Sequence, residues 1–269
     1  MLKGLAISTL AWPRQELGSA LDLARELGLA GIEVAPYDIF GRWDVSDDEV
    51  REVRMRIEDR GLVCPALQGV LFNAPGAALF ESAEARQALA RQLRTVARIA
   101  GTLGARACVF GAPRQRDPGD LSAEQAREIA RLFFASIGPV FTDRGTSLAI
   151  EANAREYGCR FLTTTAEAFD FVRQVGDPGI ALQLDTGTLF LEMEDLSVLR
   201  TAAPAAVHAH VSEPQLQPLG SSGVDHSGVA SALKANGYNG FLSIEMRAVD
   251  DWRGAFRRAV RLLADEYVL

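Results

Sequence analysis

The chain has 269 residues, 48% of them hydrophobic and 23% charged, which is enough apolar material for a full core without disulfide or metal staples. A disordered or low-complexity chain is excluded, because the charge is mixed and the 24 glycines and 11 prolines are scattered. The net charge of −7 comes without a basic tail or stripe, which argues against a nucleic-acid partner.

Lys3 followed by GLAISTLAW imitates a leader segment, but the apolar stretch is short and meets Pro13-Arg14 without a small-residue cleavage site. It reads instead as a first strand, GLAIST (4–9). Residues 14–28 then place Leu17, Leu21, Ala24 and Leu27 on one helical face. GIEVAP (31–36) is a second strand, and Ser46-Asp47-Asp48-Glu49 sets an N-cap box for a helix over 46–60. The alternation continues with LVCPALQG (62–69), a helix over 81–104, ARACVFGA (105–112) and a helix over 122–144. SLAIEAN (147–153), a helix over 165–176 and IALQLDTG (180–187) follow. AVHAHVSE (206–213), a long loop PQLQPLGSSG (214–223), a helix over 227–237, FLSIEMR (241–247) and a helix over 251–267 complete the chain.

The strands are short and apolar on both faces, as in a parallel sheet covered by helices. Successive strand ends fall 25 to 43 residues apart, eight strands in all. That pitch predicts an α/β fold, a single (β/α)8 TIM barrel spanning residues 1–269 as one domain. A doubly wound open sheet would want a Gly-rich phosphate loop after the first strand, and TLAWPR (9–14) has none. No apolar run approaches the ~20 residues of a membrane span, so no membrane partner is expected.

A barrel displays its chemistry at the C-terminal ends of its strands. Those ends carry Glu151, Asp185, His208 with His210, and Glu245, and each acid directly follows an apolar run. Three carboxylates converging on one mouth repel one another unless a cation joins them. With one imidazole they form a hard, oxygen-rich set suited to a divalent metal ion: Mn²⁺, Mg²⁺ or Co²⁺, with Zn²⁺ possible. Only one of His208 and His210 is expected to face the mouth. His210, nearer the strand end, is the expected ligand, and His208 is expected to pack behind it. All three histidines lie within 208–226, which excludes a multinuclear zinc site fed by earlier strands. The only lysines, Lys3 and Lys234, lie away from every strand end, which excludes Schiff-base chemistry. Cys64, Cys108 and Cys159 lack CxxC spacing and read as buried thiols of a cytoplasmic protein.

Further residues are candidates for a small-molecule pocket. Trp12 is expected to wall the mouth, and Gln68, Asn73 and Asn153 to meet hydroxyl groups. Glu33 is expected to pair with a hydroxyl or a rim arginine. His226 and Arg247 are candidates for substrate binding, and Arg114 and Arg116 either grip an anion or lie in a solvated loop. PLGSSG (218–223) offers a backbone cradle for a phosphate.

The fragments LAIEAN (148–153), LQLDTG (182–187), HAHVSE (208–213) and GYNGFLSIEM (237–246) resemble the xylose isomerase-like TIM-barrel superfamily. Within it the chain is similar to the bacterial sugar phosphate isomerase/epimerase group, which includes ketose 3-epimerases, hydroxypyruvate isomerases and inosose dehydratases. The resemblance covers essentially the whole chain and is strongest from residue 147 onward. It implies one divalent ion held by Glu151, Asp185, His210 and Glu245, with Glu151 and Glu245 acting as acid and base on opposite faces of a substrate carbon. The implied activity is that of a divalent-metal-dependent isomerase or epimerase of a sugar or sugar derivative. It would abstract a proton next to a carbonyl through a metal-stabilised enediolate. A metal-dependent dehydratase of a keto-polyol is the alternative, and a non-catalytic sugar-binding barrel is a third reading. The resemblance also implies a homo-oligomer. Two positions depart from the ketose 3-epimerase pattern. Thr188 stands where a histidine is usual, and Glu213 is followed by PQLQPLG rather than by a loop bearing an arginine.

Overall fold

The computed structural model describes residues 2–267; residues 1, 268 and 269 of the expected 1–269 span lie outside the described residues. The first half runs β1 (Gly4–Ser8), α1 (Leu17–Glu26), β2 (Gly31–Glu33), α2 (Pro36–Phe40), α3 (Asp47–Glu58), β3 (Ala66–Leu67), α4 (Ala83–Leu103), β4 (Ala107–Phe110) and α5 (Ala123–Thr142). The second half runs β5 (Leu148–Glu151), α6 (Thr165–Val175), β6 (Ile180–Asp185), α7 (Thr186–Leu191), α8 (Leu199–Ala202), β7 (Ala206–Ser212), α9 (His226–Ala235), β8 (Phe241–Glu245) and α10 (Trp252–Tyr267).

The eight strands form one parallel sheet in the order β2-β1-β8-β7-β6-β5-β4-β3. Two single parallel bridges, Gly31 to Val63 and Val34 to Leu67, join β2 to β3 and close the (β/α)8 TIM barrel. The seam is thin for a covalent reason. Pro65 has no N–H to donate and interrupts the ladder. Its ring lies so close to Gly31 that a Cβ there would fall 2.9 Å from Pro65 Cδ. The expected strand over 62–69 is therefore reduced to Ala66–Leu67.

Other strands also end earlier than their apolar runs. Pro36 opens α2 soon after β2. Asp185 ends β6 by capping α7, its side chain accepting from the Thr188 N–H. The Ser46–Glu49 capping box is present at the start of α3. Helix α4 buries Leu89, Leu93, Val96 and Ala100 on its inner face, and Gly104 ends it in a left-handed conformation at φ 79°.

The apolar core lies mainly between the strands and the helical layer. Ala66, Ala107 and Ala149 form a separate small cluster on β3, β4 and β5. Larger polar side chains, among them Glu33, Gln183, His208 and His210, are buried too. Cys64, Cys108 and Cys159 are free and buried. Burial pushes the Cys108 thiol up to about 12, well away from reactivity at neutral pH. Among the described residues, no helix is long and apolar enough to cross a membrane.

Candidate metal centre

Strand β7 supplies the centre of the cluster. Side chains two residues apart on a strand share a face, so His208 and His210 both point inward, at different heights. Only His210 also reaches Glu151 and Glu245, while His208 packs behind it against Glu33. Their partner is Glu33 at the end of β2. Its Oε1 lies 2.9 Å from His210 Nε2, and its Oε2 lies 3.2 Å from His208 Nε2. Glu33 is 0% exposed, so its expected pairing with a hydroxyl or rim arginine is replaced by a bridge between two imidazoles. Burial alone would raise its pKa, but the neighbouring charges and hydrogen bonds of His210 and His208 outweigh that and hold the carboxyl well below its usual range.

An ionised carboxylate only accepts hydrogen bonds, so His210 carries its proton on Nε2 toward Glu33. Its Nδ1 faces the acids, 3.1 Å from Glu151 Oε1 and 3.2 Å from Glu245 Oε2. Donor atoms of Glu151, Asp185 and His210 all lie within 4.8 Å of one another. His210 Nδ1 and Glu151 Oε1 are both buried without a hydrogen-bond partner. With the ring neutral, Nδ1 is an acceptor, and two acceptors side by side next to further carboxylates fit a divalent cation.

The titration pattern agrees with that fit. Burial, then the charges of Glu151 and Glu245, push the Asp185 carboxyl up to about 7. Burial acts against a charged His210, but Glu33, Glu245 and Glu151 together raise it well above its usual value. Protons thus collect where a cation would relieve the same repulsion.

Each acid is held from behind. Asp185 Oδ2 accepts from Ser212 Oγ at 2.6 Å, and its Oδ1 accepts from the Thr188 N–H at 2.6 Å. Glu245 Oε1 accepts from Gln68 Nε2 at 2.8 Å, and Glu151 Oε2 accepts from Asn153 Nδ2 at 2.9 Å. Glu151 also lies against the end of β4, where a Cβ on Gly111 would fall 1.9 Å from Oε2, so any larger residue there would displace the carboxylate.

The remaining expected residues divide. Gln68 reaches the cluster through Glu245 and keeps a buried, unpartnered Oε1. Trp12 is 2% exposed and stacks on Phe256 with centroids 5.6 Å apart, and its Nε1 is buried without a partner. Asn153 touches the cluster, but both ends of its amide are engaged, since Oδ1 accepts from Arg116 Nη2 at 3.0 Å. His226 is corrected. Its Nδ1 meets the Tyr267 hydroxyl at 2.9 Å and its Nε2 meets Glu213 Oε1 at 3.1 Å, leaving no ring nitrogen for a substrate.

The phosphate cradle is corrected for the same reason, because the Gly220 and Ser222 N–H groups already donate to Glu213, each at 2.7 Å. Arg116 is 1% exposed and bonded to main-chain carbonyls, so it is neither a solvated loop residue nor a free anion grip. Arg114, Arg247 and Asn73 are exposed, the last with its amide bonded to the Tyr37 hydroxyl.

The sequence reading missed Ser212 and Tyr157. Ser212 lies two positions beyond His210 on the same face, a signal that was present. Tyr157 accepts from the Gln215 N–H at 2.9 Å, and burial, with lesser effects from Asp185 and Glu245 among others, raises its pKa. Thr188, at the position of departure, donates its hydroxyl to the Ala152 carbonyl at 3.2 Å.

A profile for the xylose isomerase-like TIM barrel matches residues 21–266. The D-psicose 3-epimerase of Agrobacterium fabrum is 26% identical over 243 residues, which cover 86% of this chain and 79% of that protein. The L-ribulose 3-epimerase of Mesorhizobium japonicum is 26% identical over 256 residues, 90% of this chain and 80% of that protein. A crystal structure of D-psicose 3-epimerase in the presence of D-fructose shares the fold, with a TM-score of 0.83 over 98% of this chain and 99% of that one at 20% identity. With the profile running from the first helix to the last and the barrel matching end to end, the chain belongs to the xylose isomerase-like TIM-barrel family.

Proposed function

We propose that the protein is an enzyme acting on a sugar or sugar derivative, a divalent-metal-dependent epimerase or isomerase. The relatives named D-psicose 3-epimerase and L-ribulose 3-epimerase support the reaction class. The observation that carries the reading is the matched pair of glutamates. Each has one oxygen held by a side-chain amide, and each presents the other oxygen within 3.2 Å of His210 Nδ1.

Glu151 stands on β5 and Glu245 on β8, so they approach the mouth from different strands. One, ionised, takes the proton from a carbon next to a carbonyl, and the other, protonated, delivers its own proton from the opposite side. Such general acid–base assistance is worth roughly 10²–10⁴-fold. Glu151, Asp185, His210 and Glu245 hold the cation, which when bound supplies Lewis-acid stabilisation of the developing negative charge. Glu33 orients His210, while Ser212 and the Thr188 N–H orient Asp185. Gln68 Oε1 and Trp12 Nε1, buried and unpartnered, are the groups offered to substrate hydroxyls. The oxygen-rich donor set favours Mn²⁺, Mg²⁺ or Co²⁺ over Zn²⁺. Three buried free thiols fit a reducing cytoplasm.

The test is turnover of D-psicose, D-fructose and L-ribulose in D₂O, with and without chelation. Expected is a product of unchanged composition carrying deuterium next to the carbonyl, lost on chelation and restored by Mn²⁺. A product lighter by one water would make the protein a dehydratase. Turnover that survives complete metal removal would sink the reading.

A further inference from the structure

We propose that Arg116 is a positioning residue for the candidate metal centre: through Asn153 it fixes the Glu151 carboxylate so that Oε1 faces the cation. The inference rests on the reading of Glu151 as a cation ligand.

The turn after β4 brings the Arg116 guanidinium back beneath the end of β5. Its Nη1 donates to the Glu151 main-chain carbonyl at 2.8 Å and to the Phe110 carbonyl at 3.4 Å. Its Nη2 donates to Asn153 Oδ1 at 3.0 Å and to the Leu162 carbonyl at 3.3 Å. Among the described residues it makes no ion pair, although it is 1% exposed. A buried cation without a counter-charge is a costly way to fill space, and an apolar side chain would serve stability better.

The cost becomes intelligible one bond further on. A guanidinium has donors only, so the Asn153 oxygen must face it and the Asn153 NH₂ must face outward. That NH₂ donates to Glu151 Oε2 at 2.9 Å. The relay therefore has a direction, from cation through amide to carboxylate, and each bond polarises the next. Gly111 leaves the space that Oε2 occupies, since a Cβ there would fall 1.9 Å from it. Oε2 is thus held by the Asn153 amide, while Oε1 stays buried and unpartnered beside His210 Nδ1.

The experiment is calorimetric titration of the full-length apo protein with Mn²⁺, alongside apo thermal melts, for wild type, Arg116→Met and Asn153→Asp. Asn153→Asp is the sharper variant, because it gives Arg116 a carboxylate but turns the donor facing Glu151 into an acceptor. Expected for both variants is Mn²⁺ binding weakened roughly 10–100-fold, with a cooperative apo melting transition retained in Asn153→Asp, whose new carboxylate pairs with Arg116 and so offsets its repulsion from Glu151. If Arg116→Met does not fold, Asn153→Asp decides alone. Affinities within threefold of wild type would overturn the inference and leave the metal reading intact. A weakened affinity in Asn153→Asp accompanied by a collapsed apo melting point would also overturn it, since the relay would then serve only the fold. If wild type itself binds no divalent cation, the metal reading fails and the inference falls with it.

Discussion

At the residue scale, the second nitrogen of one histidine organises the centre. His210 can offer Nδ1 to a cation only if its one ring proton sits on Nε2 with a fixed acceptor, and Glu33 supplies that acceptor from across the barrel. Glu33→Gln is expected to keep the fold but weaken divalent-cation binding roughly 10–100-fold, read by calorimetry. The reason is acceptor capacity, because one amide oxygen cannot serve both His208 and His210. Unchanged affinity would show that His210 needs no such support. The convergence of Glu151, Asp185, His210 and Glu245 was legible in the sequence because each sits at or near the end of a strand, the three acids directly after an apolar run. Glu33 ends a strand as well, but its partner lies 177 residues away, and no local pattern encodes that distance. Arg116 was ambiguous for a related reason, since an arginine in a loop gives no sign of whether the loop turns it outward or inward.

At the element scale, the loop between β7 and α9 is pinned by one side chain. Glu213 is buried and accepts from Gly220, Ser222 and His226, and His226 in turn meets Tyr267 on α10. Glu213→Gln leaves one oxygen where there were two and sets an NH₂ against a backbone donor. It is expected to destabilise the protein by about 1–3 kcal/mol in urea unfolding and to speed amide exchange at Gly220 and Ser222. Exchange at wild-type rates would show that the loop is held by other contacts. The PLGSSG sequence correctly signals exposed N–H groups, but an internal carboxylate meets them first. Strand and long-helix positions were legible from apolar runs and 3.6-residue periodicity. The short helices α2, α7 and α8 were not, because four to six residues are too few to show a helical period. Strand ends were overestimated wherever a proline or a capping acid cuts an apolar run, as at Pro36, Pro65 and Asp185.

At the scale of the whole molecule, closing eight strands into a barrel forces Glu33, Glu151, Asp185 and Glu245 toward one mouth, and stability becomes linked to what neutralises them. The Asp185 carboxyl is raised from 3.8 to about 7, so between those values the folded apo protein holds a proton that the unfolded chain has lost. That contribution is present at low pH and disappears as pH rises toward 7. The raised His210 acts in the same direction, since its contribution is full below the unfolded histidine value and is lost on going alkaline. Glu33, held low, acts oppositely: its contribution is fully present above its unfolded value of 4.5 and is lost as pH falls below it toward the folded value. Apo stability should therefore decline from pH 6 to pH 8, while a cation, which replaces the protons, binds better over the same interval. At a hundredfold excess over its dissociation constant a ligand adds about 2.7 kcal/mol, or roughly 5–10 °C in melting temperature for a chain of this size. Melting curves with and without Mn²⁺ should separate by that order at pH 8 and converge toward pH 6. A separation that stays flat or narrows with rising pH would mean that the carboxylates at the mouth are not what the metal neutralises.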